Sequence, residues 1–400
     1  MRRRAPRPRS TTCCATKPLR GNLPEEPADP IPLAQALIRC RSVTPADGGA
    51  LATMETALAP LGFRCTRLKY GEVDNLFARR GTEGPHLCYA GHTDVVPPGD
   101  EAAWKDNPFA AVIKDGVLYG RGACDMKGGI AAFVAGLSDF IAANPDHRGS
   151  ISLLITGDEE GPSVDGTRRV LEWMAENGHT PDMCVVGEPT SKKQLGDTIK
   201  VGRRGSMNAF LTVKGRQGHS AYPQLADNPV HRLIRVLNAL TSEPLDQGSQ
   251  FFEASTLQVT GIQVDNTATN VIPAEAKAFL NIRFNDHHHS SALTDRIRAV
   301  LAEHAPEHEL RVTVSGESFL TQPGPFVEAL QRAVRRGTGL EAKLDTGGGT
   351  SDARFITHYC PVAELGAVGA TLHQRDESAP VAELRTLAGL YRIVIEECLS

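Results

Sequence analysis

The stretch SLLITGDEEGPS, residues 152–163, runs an apolar segment straight into three adjacent acids, Asp158, Glu159 and Glu160. Charges of one sign that close repel and raise each other's pKa. A chain that keeps them has either a solvated turn there or a cation to offset them. Two further apolar runs end in the same manner. LCYAGHTD, residues 87–94, finishes in His92 and Asp94, and CVVGEPT, residues 184–190, finishes around Glu188. In open α/β sheets the ligand crevice lies at the carboxyl ends of the strands, so three strand ends carrying metal-type side chains point to one site.

Working outward, strand-like segments at NLFARR (75–80), PHLCYAGH (85–92), SISLLITGD (150–158) and DMCVVGE (182–188) alternate with helical patterns. The helices read at 31–44, stopped before Pro45, and at 50–62, 125–144 and 166–178. This predicts an α/β catalytic domain with a largely parallel sheet. The texture changes at Gly205. GSMNAFLTVKG, ASTLQVTGIQV, EAKAFLNIRFN and ELRVTVSG read as antiparallel strands, with helices at 228–240 and 290–305. That predicts an inserted α+β unit over 205–316, dividing the catalytic domain into 29–204 and 317–400.

Residues 1–28 are rich in Arg and Pro, lack an acid before Glu25 and lack an apolar signal core. They are expected to be a disordered tail outside the fold. The net charge of −4 gives no ground for a nucleic acid or an anionic membrane as partner. No apolar run approaches the length of a membrane span. Nine cysteines without CxxC pairs suit reduced thiols and a cytoplasmic protein.

Between the first two acid-tipped strands, YGRGACDMKGG (119–129) places Asp125 in a glycine-rich loop just before a helix. Taken alone, Asp125 reads as the N-cap of that helix. GAVGATLHQRDE (366–377) adds His373 after another short strand. His92, Asp125, Glu160, Glu188 and His373 together offer two imidazoles and three carboxylates, a set suited to a borderline divalent ion such as zinc. With one acid shared between two ions, Glu160 is neutralised as a ligand and Glu159 is left to face water as a general base. Asp94 stands two residues beyond His92 and is expected to accept the second imidazole N–H. HHH at 287–289 reads as an exposed loop and Trp104 as packing.

GHTDVVPPGD, LYGRGACDMKGG, TGDEEG, VVGEPT, GRQGHSAYP, NVIP and GGGTSDARF, in that order, resemble the motifs of the dinuclear zinc aminoacylase and carboxypeptidase family. The resemblance covers the chain after the tail. It implies two zinc ions per subunit, with Co2+ able to substitute: His92 and Glu188 on one, Glu160 and His373 on the other, Asp125 bridging. It implies Glu159 as general base, and a homodimer formed by the inserted unit that carries His219 into the partner's active site. It also implies substrate contacts from Arg203, Ser206, Asn270, Arg283, Gly349 and Thr350. The motifs VGRRGS, QGHSAYP and GGGTSDARFI are most similar to those of members that hydrolyse N-succinyl-LL-2,6-diaminopimelate, a small-molecule substrate whose carboxylates arginine forks match. An N-acetylornithine deacetylase, another N-acyl-amino-acid deacylase or a carboxypeptidase shares the same metal motifs. A binding protein that kept the fold without catalysis is the alternative of another class.

Overall fold

The computed structural model describes residues 27–400. The expected tail lies outside them except for its last two residues, of which Ala28 donates its N–H to Asp139. Along the chain the helices are α1 (Ile31–Arg39), α2 (Ala50–Leu58), α3 (Lys127–Ala143), α4 (Thr167–Glu176), α5 (Pro229–Thr241), α6 (Ser290–His304), α7 (Pro325–Thr338), α8 (Ala353–Ile356) and α9 (Val381–Leu399).

An eight-stranded sheet forms the larger layer. It opens with β1 (Arg64–Tyr70), β2 (Val73–Arg80) and β3 (His86–His92). Its spatial order is β1, β2, Ser150–Thr156, β3, Met183–Val186, Val362–Glu364, Thr198–Lys200 and Lys343–Asp345. β3 runs parallel to both of its neighbours. The Val362–Glu364 strand is parallel to Met183–Val186, and Lys343–Asp345 to Thr198–Lys200. The remaining pairs are antiparallel, β1 with β2, β2 with Ser150–Thr156, and Val362–Glu364 with Thr198–Lys200. The sheet is therefore mixed, not largely parallel. β1 was missed in the sequence because RCTRLKY is an edge strand with little burial, so charges sit where an inner strand would carry Val or Ile.

Strands flanked on both faces read as continuous apolar runs, and every residue of β3 and of Ser150–Thr156 is buried. One face is covered by α1, α2, α3, α7 and α9, whose apolar stripes join Tyr89, Leu153 and Val185 in the main core. The other face is covered by α4 and α8 through Val170, Leu171, Met174 and Ile356. α3 and α9 cross so closely that a Cβ on Gly136 would stand 2.3 Å from the Ala388 carbonyl oxygen, which is why glycine is needed there.

The second sheet has four antiparallel strands in the order Thr256–Gln263, Glu275–Phe284, Gly205–Lys214, His308–Gly316. Glu275–Phe284 buries every other residue: Ala276, Ala278, Leu280, Ile282 and Phe284. This period-two face packs on Leu233, Val236 and Leu240 of α5 and Leu293, Ile297 and Leu301 of α6. Among the described residues no helix is long and apolar enough to cross a membrane.

Candidate metal centre

Parallel register sets the site. His92 lies opposite Thr156, and Ala90 opposite Val186, so the segments carrying Glu159, Glu160 and Glu188 leave the sheet at the same edge as His92. Asp125 arrives from the loop before α3, and His373 from the loop after Val362–Glu364. His373 holds φ at 58°, an uncommon backbone for a non-glycine residue.

The Asp125 carboxylate stands between the two histidines. Its Oδ1 is 3.2 Å from His92 Nε2 and its Oδ2 is 3.1 Å from His373 Nε2. Glu188 Oε1 lies 3.8 Å from His92 Nε2, and Glu160 Oε1 lies 2.8 Å from His373 Nε2. Ligand atoms of His92, Asp125 and Glu160 fall within 4.8 Å of one another, and so do those of His92, Glu159 and Glu188. Asp125 does not cap α3: the residue at that position is Met126, with no side-chain cap.

The electrostatics show that the cluster wants positive charge. Burial, then the charge of Asp125, pushes Glu188 up to about 8. Burial, then Glu188, holds Glu159 well above the usual carboxylate range. Burial also opposes ionisation of Asp125, yet hydrogen bonds from His373 and His92 hold it below that range. Burial opposes a charged His92, but its bond to Asp125 prevails and raises it far above an ordinary imidazole. Bonds to Asp125 and Glu160 push His373 up to about 10. Protons on the imidazoles thus do part of what a divalent cation would do, and Asp125 with His92, Glu188, Glu160 and His373 around it is a donor set that fits divalent ions.

Two further acids position this set. Asp94 is buried, and its oxygens accept the N–H groups of Glu159 and Glu160, at 3.3 and 3.1 Å, and the Thr44 hydroxyl at 2.7 Å. The expected Asp94 carboxylate bond to His92 takes another form here. His92 Nδ1 donates to the Asp94 main-chain carbonyl at 2.8 Å, while the carboxylate stays 3.7 Å away. Either acceptor occupies Nδ1 and leaves Nε2 as the ring nitrogen that faces Asp125.

Glu377 is fully buried, and the sequence reading missed it. It accepts N–H bonds from Gly122, Cys124 and Asp125, at 3.0, 3.0 and 3.1 Å, and pairs with Arg121 at 2.7 Å. It thereby fixes the loop that aims Asp125. In the sequence it sits in HQRDES, which reads as a solvated charge run; only its position four residues after His373 hinted otherwise.

The residues expected to contact substrate are more dispersed. Arg203 is buried and forks onto Glu364, with Nη1 donating to the Gly349 carbonyl at 2.9 Å. Lys200 donates to the Gly347 carbonyl at 2.6 Å, so both cations hold the glycine-rich loop that bears Gly349 and Thr350. Ser206 is buried opposite the half-buried Arg283 in the second sheet. His219 and Asn270 lie exposed beside each other, where Ser220 N–H meets the Asn270 carbonyl. Neither belongs to the groups of ligand atoms described above. His288 pairs with Asp246, and Trp104 is buried with its indole N–H on Pro98.

The sequence profile of Peptidase family M20/M25/M40 matches residues 88–397. The chain belongs to this family. Among curated M20-type relatives, the succinyl-diaminopimelate desuccinylases of Gluconacetobacter diazotrophicus and Acidiphilium cryptum are each 57% identical to it. Each alignment covers 92% of this chain, with 96% and 98% of the respective relative. The M20 fold is seen equally in solved structures. The aminopeptidase PepT of Bacillus cereus superposes with a TM-score of 0.77 at 20% identity, covering 93% of this chain and 98% of that one. Bacillus subtilis YXEP, a dinuclear metal binding peptidase from the M20 family, superposes with a TM-score of 0.70 at 16% identity over 93% and 98%.

Proposed function

We propose that the chain hydrolyses N-succinyl-LL-2,6-diaminopimelate to succinate and LL-2,6-diaminopimelate. The observation that carries this reading is 57% identity, over 92% of the chain, to curated succinyl-diaminopimelate desuccinylases. His92 and Glu188 would hold one divalent ion, Glu160 and His373 the other, and Asp125 both; the nitrogen and oxygen donors favour zinc. Bound there, such ions supply Lewis acidity and lower the pKa of water.

The chain's own residues do the rest. Glu159, held above the usual carboxylate range by burial and then by Glu188, is the carboxylate placed to take and return a proton. It takes the proton of the attacking water as the oxygen adds to the amide carbon. As the C–N bond breaks, it gives that proton to the leaving nitrogen, so the products are a carboxylic acid and an amine, which ionise in water to carboxylate and ammonium. Asp94 and Glu377 hold Glu159, Glu160 and Asp125 in place.

The unit at 205–316 is the inserted lid and dimerisation domain of this reading, bringing His219 of one copy to the site of the other. A feature of His219 supports the role. The Ala221 N–H donates to its Nδ1 at 3.0 Å, so the neutral ring carries its proton on Nε2, ready to donate to an oxyanion. Ser206, Asn270, Arg283, Gly349 and Thr350 contact substrate, and Arg203 contributes through the loop it holds.

Glu159→Gln tests the chemistry. Turnover of N-succinyl-LL-2,6-diaminopimelate should fall by at least about 10³-fold while metal content stays at the wild-type level. Normal turnover in that variant removes Glu159 from the base role. Steady-state rates on N-acetylornithine test the substrate, and a preference for it would transfer the site to a deacetylase.

A further inference from the structure

A cavity of about 500 Å³ opens beside the metal cluster. Glu159, Glu160, Arg168 and Arg354 all line it. Two exposed valines, Val164 and Val314, supply apolar wall, the second from the edge strand of the smaller sheet. Arg354 stands out among these residues. Its side chain is only 9% exposed, its Nε has no hydrogen-bond partner, and its nearest acid is Asp352 at 4.0 Å. Its stem packs where a Cβ on Gly316 would come within 2.8 Å of Cδ, and its guanidinium lies over the Phe355 ring. A largely buried arginine whose Nε lacks an acceptor is costly unless a ligand completes it. Arg203, by contrast, spends its fork on Glu364.

We infer that Arg354 reads the free carboxylate of the acyl group, and so sets the preference for a succinyl over an acetyl substrate. The inference rests on the proposed amide hydrolysis and deepens it. Charge selects the acyl arm. The amine half of the substrate ends in an ammonium beside its carboxylate, which two arginines in one cavity would repel. The succinyl arm is two methylenes and a carboxylate, which Val164 and Val314 can flank while the Arg354 fork takes the oxygens. Arg168, paired loosely with Glu172 at 3.5 Å, adds long-range attraction at the mouth.

The test compares metal-loaded wild type with Arg354→Gln and Arg354→Lys on the N-succinyl substrate and on its N-acetyl counterpart, which lacks the carboxylate. For Arg354→Gln, kcat/KM on the succinyl substrate should fall about 100-fold, the scale of one charge-assisted bidentate pair. On the acetyl counterpart it should change by no more than about threefold, and Arg354→Lys should recover part of the preference. An equal loss on both substrates, or no loss on either, overturns the inference. Succinate binding to the metal-loaded protein, measured by calorimetry, separates this from the function itself. If wild type fails to cleave the succinyl substrate, the proposed reaction falls. Succinate affinity that drops about 100-fold in Arg354→Gln still upholds Arg354 as the carboxylate reader, and an unchanged affinity removes it.

Discussion

Two histidines close the two ends of β3, and both are buried, at 3% and 1% exposure for His86 and His92. Their surroundings give them opposite chemistry. His86 Nε2 meets the Ser152 hydroxyl at 2.8 Å and Nδ1 faces the Thr180 carbonyl. Burial, then the nearby charge of Arg79, pushes its pKa down to about 4, so it is a neutral part of the core. His92, six residues on, faces Asp125, Glu159 and Glu188, and the acids overcome burial. Burial alone therefore does not make a candidate ligand. The carboxyl end of the parallel strands does, because several loops bring their acids there together.

The largest expected effect breaks the metal end. His92→Ala should release metal and lower kcat/KM by more than about 10³-fold, read by metal analysis and steady-state kinetics on one sample. Full metal content with normal rates would make His92 no more a ligand than His86. A smaller effect is expected at the other end. His86→Ala should leave metal content and kcat within about threefold, yet lower the unfolding free energy by about 2 kcal/mol, since Ser152 loses its partner and a cavity remains. A denaturant titration reads this, and loss of metal in that variant would erase the contrast.

The smallest effect is a slope. The folded pKa of His86, about 4, lies below that of an unfolded imidazole, near 6.5. Between these values the unfolded chain binds a proton that the folded one refuses, so stability falls as pH drops through that window and His86 adds no slope above about pH 7. Wild type should therefore lose stability more steeply than His86→Gln between about pH 6.5 and 4, at equal metal loading. Parallel slopes would mean that His86 accepts a proton in place.

How much of this was legible in the sequence depends on whether a residue's meaning is local. His92, Glu159, Glu160 and Glu188 could be read because each follows an apolar run long enough to be a strand, and the end of a parallel strand is already a place in space. Helices α1 to α6 were legible for a similar reason, since α4 shows its buried face as Val170, Leu171 and Met174 at helical spacing. β1 was not legible, because an edge strand needs no apolar alternation. Its antiparallel pairing with β2, together with those of β2 with Ser150–Thr156 and of Val362–Glu364 with Thr198–Lys200, makes mixed a sheet expected to be largely parallel.

Glu377, the two uses of Asp94 and the unpartnered Nε of Arg354 were beyond sequence reading for another reason. A carboxylate in HQRDES or an arginine in TSDARF looks the same whether it faces water or the core. The sequence by itself determined which residue types end the strands, and with them the family motifs and the chemistry. Tertiary structure alone decided which buried charges have partners, because that depends on contacts between segments more than 200 residues apart, such as Glu377 with the Asp125 loop or His373 with Glu160.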